Sequence, residues 1–323
     1  MAVPKQPIMT TGRSFDATRR SFIFASLLSA LSACFFGEAK ASPSARSAVR
    51  HVKLWGCQYQ NVDLDEVAAS DLDMIVVDPS LNDSAGIFVT REDCERLKKK
   101  PDGSRRIVLA YLCVGEADIK RWYWPEAWMT EAPSWVGAEN PNWNGAHAVQ
   151  YWHPEWQSLV YKARDSILAT ILDAGFDGVV LDRVDAYTDW EPGRDRARNE
   201  MIDLVVSLAT TARKRNPDFV VIAQNAEPLL TSMTFVAALD GHNKESLLTG
   251  LKGPDSINTT EDVDWSLNYL RGLQNAGVAT LATEYISDTS LIPAVKTRLL
   301  ELGFVPFFGV RALDILPRSP VEG

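Results

Sequence analysis

Short apolar segments alternate with longer amphipathic stretches along nearly the whole chain after residue 51. Most of these segments are continuously apolar and rich in β-branched residues, as parallel strands covered on both faces are. They are VKLWGCQY from Val52, MIVVD from Met74, IVLAYLCVGE from Ile107, GVVLD from Gly178, VVIAQN from Val220, ALDGHNKE from Ala238, VATLATEY from Val278 and FVPFFG from Phe304. Eight such segments predict an α/β fold, a (β/α)8 TIM barrel, which typically has about 250 residues.

The stretches between these segments carry helix signals. REDCERLKKK follows Thr90, a good N-cap residue, and a long polar-apolar segment from Arg194 stops at Pro217. EDVDWSLNYLRGLQNAG and PAVKTRLLELG each end on glycine, a common helix stop. A doubly wound open sheet is the alternative, but no glycine-rich phosphate turn follows the first segment. We therefore expect one barrel domain over residues 42–323.

The first 41 residues have the pattern of an export signal. Arg19 and Arg20 precede the apolar stretch FIFASLLSALSACFF, and the sequence AKA precedes Ser42. This pattern resembles a bacterial twin-arginine signal, which predicts export to the periplasm or the exterior. The apolar stretch is too short for a membrane span, so we expect none in the mature chain. The sequence LSAC also resembles a lipobox, and Cys34 would then be lipidated.

One connection of the predicted barrel is unusually long. The stretch at about 117–156 is loop-like, and one helix is expected from about Trp156 to Ala174. Seven of the ten tryptophans fall in this connection: Trp122, Trp124, Trp128, Trp135, Trp143, Trp152 and Trp156. Long insertions at this face of a barrel are usually functional. We expect about half of these rings to anchor the insertion and others to stack on ligand.

Carboxylates recur where the predicted strands end. They are Asp78, Glu116, Asp182 with Asp185, Glu245 and Glu284. Residues at the ends of barrel strands project into the active-site face, and a carboxylate there is costly to desolvate without a partner. Acids together with aromatic rings in an exported barrel predict a carbohydrate hydrolase. A barrel that binds polysaccharide without cutting it is the alternative.

Other classes of function have little support. The net charge of −9 disfavours a nucleic-acid binder with a basic face. The four histidines include no pair at ligand spacing, so we expect neither a metal site nor a cofactor. The sequence also contains no G-x-S-x-G nucleophile motif. It leaves the oligomeric state open.

Six blocks in the chain resemble glycoside hydrolase family 114. They are VLAYLCVGEAD, YWHPEWQ, GFDGVVLDRVDAY, VIAQN, LDGHNKESL and ATEY, and the resemblance runs from about Val52 to Phe308. It implies an exported endo-α-1,4-polygalactosaminidase-like barrel acting on galactosamine-rich polysaccharide. By motif match, the resemblance places the catalytic carboxylates at Asp182 and Glu245, with Glu227 as the alternative acid. An endoglycosidase for another α-linked surface glycan is the alternative activity.

Glycoside cleavage requires one carboxyl group to protonate the leaving oxygen and another to meet the anomeric carbon. We expect Asp182 to act as nucleophile and Glu245 as general acid, with retention of configuration. The sugar subsites are expected to contain Asp78, Glu116, Trp124, Asp185, Tyr187, Gln224, Asn225, Glu284 and Tyr285. Carboxylates that do not catalyse would bind the free amines of galactosamine.

Overall fold

The computed structural model describes residues 44–316, and eight parallel strands in that range form one sheet. In chain order they are β1 (Trp55–Gln58), β2 (Met74–Val77), β3 (Ile107–Cys113), β4 (Gly178–Asp182), β5 (Val220–Gln224), β6 (Gly241–Glu245), β7 (Ala279–Tyr285) and β8 (Val305–Gly309). Each strand pairs with the next one in the chain. The predicted TIM barrel is thus confirmed. The proposed signal in residues 1–41, including Cys34, lies outside the described residues.

Side chains link the first strand of the barrel to the last. The indole Nε1 of Trp55 in β1 donates a hydrogen bond to the carbonyl of Val305 in β8, at 2.9 Å. The Trp55 ring also packs against Phe307, with 5.4 Å between the ring centroids. Trp55 is buried, so this contact joins β1 to β8 from inside the molecule.

Helices follow the first seven strands, largely where the sequence predicts them. They are α1 (Leu64–Ala69), α2 (Arg91–Leu97), α3 (Ile167–Ala174), α4 (Ala197–Arg215), α5 (Met233–Ala238), α6 (Thr260–Leu270) and α7 (Ile292–Glu301). The predicted cap of α2 is present: Thr90 and Asp93 form a reciprocal capping box. Shorter helices cover Ala45–Ala48, Pro154–Gln157 and Tyr187–Trp190.

The connection after β3 differs from the prediction. Instead of a loop, it contains a three-stranded antiparallel sheet in which Ala146–Val149 lies between Glu116–Asp118 and Val136–Glu139. Glu116 therefore begins this small sheet and does not end β3. The helix expected from about Trp156 is also interrupted, because Ala163 is extended and Ser166 caps a new start for α3.

Tryptophans fill the core of this insertion. Trp156 donates a hydrogen bond from Nε1 to the carbonyl of Val114, at 3.0 Å, which ties the insertion to the end of β3. Trp135 packs between Trp128 and Trp156, with centroids 5.3 and 5.2 Å away. Trp124 is buried beside Trp128 and stacks on the His147 ring. Several of the rings thus anchor the insertion, as expected, whereas Trp122 and Trp143 stay exposed.

An aspartate precedes each of three barrel strands and ties it to the strand before it. Asp73, Asp177 and Asp240 stand immediately before β2, β4 and β6. The carboxylate of Asp177 accepts from the Val108 N–H at 3.0 Å, and that of Asp240 accepts from the Val221 N–H at 3.0 Å. Asp73 does the same for the N–H groups ahead of β1. These bonds occupy backbone donors at the amino ends of the strands, opposite the end that carries the predicted site.

Replacing one of these aspartates is expected to destabilise the barrel. Asp177→Ala leaves the buried Val108 N–H without its acceptor and removes the partner of Arg105, which lies 2.7 Å away. We expect the free energy of unfolding to fall by about 1–3 kcal/mol, the cost of an unsatisfied buried polar group. Urea denaturation measures this change. The control is Asp218→Ala at an exposed position, and equal midpoints for both variants would contradict the assigned role.

Candidate active site

Asp182 and Glu245 are the last residues of β4 and β6, and β5 lies between these two strands. At the end of β5, Gln224 donates from Nε2 to Oδ1 of Asp182 at 3.0 Å. The next residue, Asn225, donates from Nδ2 to Oε2 of Glu245 at 2.8 Å. One pair of adjacent amide side chains therefore holds both carboxyl groups at the mouth of the barrel.

Asp182 receives two further hydrogen bonds. The hydroxyl of Tyr111, in β3, donates to Oδ2 at 2.7 Å, and the backbone N–H of Arg183 donates to Oδ1 at 2.8 Å. Arg183 adopts a left-handed conformation with φ 57°. Its guanidinium is held by Glu116, Asp185 and Asp189 at 2.6–3.0 Å. These contacts fix the turn after β4 and thereby orient the Asp182 carboxylate.

Glu245 is held by neutral donors on both oxygens. The Tyr285 hydroxyl donates to Oε1, while Asn225 donates to Oε2 and accepts from the Glu245 N–H at 3.0 Å. Burial and the nearby negative charge of Asp182 raise the pKa of Glu245, against the opposing effects of Tyr285, Asn225 and Arg311. A raised pKa keeps the carboxyl group protonated to higher pH, which suits a general acid.

The backbone around Asn225 is strained and held in place. Asn225 and Ala226 both have positive φ, 55° and 60°. The N–H of Asn225 donates to the carbonyl of Asn243, and Nε2 of His242 donates to the carbonyl of Asn225, each at 2.8 Å. Burial lowers the pKa of His242 to about 4, so its ring is neutral near pH 7. His242 therefore positions the amide that holds Glu245.

A cleft of about 680 Å³ opens beside Glu245. Its walls include the predicted site residues Asp185, Tyr187, Asn225 and Glu245. Asp182 is not among the lining residues, but its charge acts on Glu245. Trp265 and Arg311 also line the cleft, and neither is predicted from the sequence. Trp265 lies on α6. The amphipathic pattern of that helix distinguishes buried from exposed positions, but it does not indicate that an exposed ring faces a ligand.

Six predicted subsite residues do not line this cleft, and four of these make other contacts away from the carboxyl pair. Asp78 is buried against Arg121, with 2.6 Å between Oδ2 and Nη2, and Glu116 pairs with Arg183 at 2.8 Å. Glu284 is fully buried and accepts from the N–H groups of the loop after β6. Trp124 belongs to the core of the insertion. Each of these side chains is occupied by a contact that stabilises the rim of the barrel.

The remaining predicted residues stand close to the carboxyl pair. Gln224 and Tyr285 contact Asp182 and Glu245 directly. Glu227, the alternative acid, lines the cleft, but its Oε1 accepts from Lys244 and Ser266, each at 3.0 Å. Tyr111 was missed, although it lies two residues before Cys113, which pairs with Asp182 in the sheet. The alternation of side chains along β3 could have identified it.

Within residues 44–316, no cluster of three His, Cys, Asp or Glu side chains could hold a metal ion. In the same range, no helix is long and apolar enough to cross a membrane.

Comparison with known proteins adds a family match to this geometry. The model of glycoside-hydrolase family GH114 matches residues 38–250, a range that includes Asp182 and Glu245. An uncharacterized protein of Methanocaldococcus jannaschii, MJ1477, is 34% identical over 274 residues, which cover 79% of this chain and 74% of the relative.

Two solved structures share the fold of the chain. The glycoside hydrolase domain of PelA from Pseudomonas aeruginosa superposes with a TM-score of 0.62 at 21% identity, covering 83% of this chain and 98% of that one. Ega3 from Aspergillus fumigatus, in complex with galactosamine, gives a TM-score of 0.59 at 17% identity, with coverage of 87% and 98%. At these identities the likeness concerns the fold alone.

The electrostatic coupling between the two carboxyl groups can be measured directly. Asp182→Asn removes a negative charge near Glu245, so the ionised form of Glu245 becomes less costly and its pKa is expected to fall. The carboxyl carbon shift of Glu245, followed by NMR across a pH titration, reports that pKa. Asp218→Asn, at an exposed position outside the cleft, is the control. An unchanged Glu245 midpoint in Asp182→Asn would refute the coupling.

Proposed function

Because this chain belongs to glycoside-hydrolase family GH114 and is therefore a glycoside hydrolase, we propose that it is an endo-acting enzyme that cleaves α-1,4-linked galactosamine-containing polysaccharide. The observation that carries this proposal is the carboxyl pair at the barrel mouth. Asp182 and Glu245 are held by adjacent amides, and both accept hydrogen bonds only from neutral groups among the described residues. Such a pair is what acid-assisted glycoside cleavage requires.

The two carboxyl groups take different roles in the proposed reaction. Glu245 donates its proton to the glycosidic oxygen as the bond to the anomeric carbon breaks, and Asp182 attacks that carbon to form a glycosyl-enzyme. Water then displaces Asp182 while Glu245, now a carboxylate, accepts a proton from the water. The raised pKa of Glu245 supports this assignment of the acid. Two displacements at one carbon give retention of configuration.

The proposed substrate class rests on charge and on one structural relative. Four acids line the cleft (Asp185, Glu191, Glu227 and Glu245) together with the bases Arg198, Lys244 and Arg311. Because Lys244 neutralises Glu227 and Glu245 acts as a protonated acid, the attraction for cations rests on Asp185 and Glu191 and on the net charge of −9 that the chain carries. Carboxylates in a cleft raise the local concentration of cations such as the ammonium groups of deacetylated galactosamine. Ega3, which shares the fold, has been solved in complex with galactosamine.

We also propose export through the twin-arginine-type signal in residues 1–41, with lipidation at Cys34 as the alternative.

The proposal predicts that each catalytic carboxyl group is essential. Asp182→Asn and Glu245→Gln are both expected to lower kcat on partly deacetylated α-1,4-galactosamine polymer, by about 10²–10⁴-fold for the loss of the general acid. A reducing-end assay measures the rate, and Asp218→Asn at an exposed position is the control that keeps full activity. Retention predicts that the first product seen by NMR is the α anomer.

Two results would count against this proposal. If both variants retain activity, the carboxyl pair is not catalytic. If the enzyme cleaves a neutral α-linked glycan and leaves the galactosamine polymer intact, the alternative substrate class is correct.

The pH dependence should follow Glu245. The general acid must be protonated, so kcat/KM is expected to fall as pH rises through the pKa of Glu245. Tyr285→Phe removes a hydrogen bond that lowers this pKa, so the alkaline limb of the profile should move to higher pH. Tyr161→Phe, on the helical shell, is the matched control. A limb that stays in place or moves to lower pH in Tyr285→Phe would exclude Glu245 as the acid.

A further inference from the structure

We propose that Trp265 and Leu251 form an uncharged sugar subsite in the cleft, which binds a pyranose unit of the polymer away from the cleaved bond. This inference rests on the proposed function, since it assigns how that enzyme holds a long chain. Trp265 and Leu251 are 50% and 54% exposed, and both line the same cleft as Glu245. Large apolar side chains grouped at the surface usually mark a binding site.

The position of Trp265 is fixed relative to the catalytic strand. Ser266, the next residue on α6, is buried and donates from Oγ to Oε1 of Glu227 at 3.0 Å. The same oxygen lies 3.0 Å from Nζ of Lys244, which precedes Glu245 on β6. This buried ion pair therefore ties α6 to β6, and Tyr269 contacts the Trp265 ring at a centroid distance of 5.2 Å.

The loop that carries Leu251 is equally well held. The buried carboxylate of Glu284 accepts from the N–H groups of Leu248 and Thr249 at 2.8 and 3.1 Å. Asn258 donates to the carbonyl of Ser246 at 2.8 Å and accepts from the N–H of Leu251 at 3.0 Å. A wall that is ordered before the ligand arrives loses little entropy on binding. Holding this loop in place is therefore the role of the fully buried Glu284, which takes no part in the proposed catalytic mechanism.

The chemistry of this wall suits the apolar face of a sugar ring. An indole ring and a leucine side chain offer broad apolar contact, and Glu227, which Ser266 joins to α6, is neutralised by Lys244. Binding there is therefore insensitive to salt, whereas attraction of ammonium groups to free carboxylates weakens as salt is added. A disaccharide bound at the carboxyl pair does not need contacts with Trp265 and Leu251, whereas a longer polysaccharide chain does.

The experiment compares Trp265→Ala with Trp143→Ala, which removes a 48% exposed tryptophan from the insertion, outside the cleft. The probe is partly deacetylated α-1,4-galactosamine polymer, used for turnover and, in the Glu245→Gln background, for calorimetric binding. We expect Trp265→Ala to raise KM and Kd for the polymer by about five- to tenfold, a typical worth of one aromatic contact. Neither kcat nor the dependence of Kd on salt should change, and Trp143→Ala should match the parent enzyme. Trp265→Phe should recover part of the loss, which excludes misfolding as its cause.

The outcomes separate this inference from the proposed function. If the parent cleaves the polymer and Trp265→Ala behaves like Trp143→Ala, the subsite is wrong and the function stands. If the parent binds the polymer through Trp265 without cleaving it, the function is wrong and the subsite stands. If the parent neither binds nor cleaves it, both are wrong. A loss in Trp265→Ala that disappears at high salt would show a charged contact and would also overturn the subsite.

Discussion

Two carboxyl groups of like charge are held near each other at the mouth of this barrel, and the rest of the site is organised around that constraint. Gln224 and Asn225 stand on the strand between them and donate one hydrogen bond to each. The left-handed conformation of Asn225 follows from this geometry, because consecutive side chains of an extended strand point to opposite faces. His242 and the neighbouring strand then hold that backbone in place.

The partners of the acids distinguish the roles of the carboxylates at the barrel mouth. Asp78 and Glu116 form close ion pairs with Arg121 and Arg183, and these pairs fix the rim. Among the described residues, Asp182 and Glu245 have no such ion pair, and their oxygens accept from tyrosine, amide and backbone donors. A cation bound directly to either group would hold it in a stable ion pair. Neutral donors orient a carboxyl group and leave it reactive.

The eight strands and the acids that end β4 and β6 could be predicted from the sequence, because burial on both faces requires apolar runs and polar residues mark where each run ends. Arg121 and Arg183 could be predicted as partners of these acids, but the acid that each one pairs with could not, since Arg121 reaches Asp78 from an insertion with no strong periodicity. The three-stranded sheet in that insertion was missed for the same reason. Trp265 could not be predicted as a site residue, because an exposed tryptophan indicates a ligand contact only when the structure shows that it lines the cleft.

The junction between β1 and β8 has consequences for how the molecule opens. Every other neighbouring pair of barrel strands forms a backbone ladder, whereas β1 and β8 are joined by the side chain of Trp55 and, just beyond their ends, by hydrogen bonds from the N–H groups of Tyr59 and Gln60 to the carbonyl of Leu313. Local unfolding starts where few backbone hydrogen bonds must break. We therefore expect the backbone amides of β1 and β8 to exchange hydrogen faster than those of the other barrel strands. The junction lies across the ring from β4, β5 and β6. The barrel can therefore open locally between β1 and β8 while the strands that carry Asp182 and Glu245 stay paired.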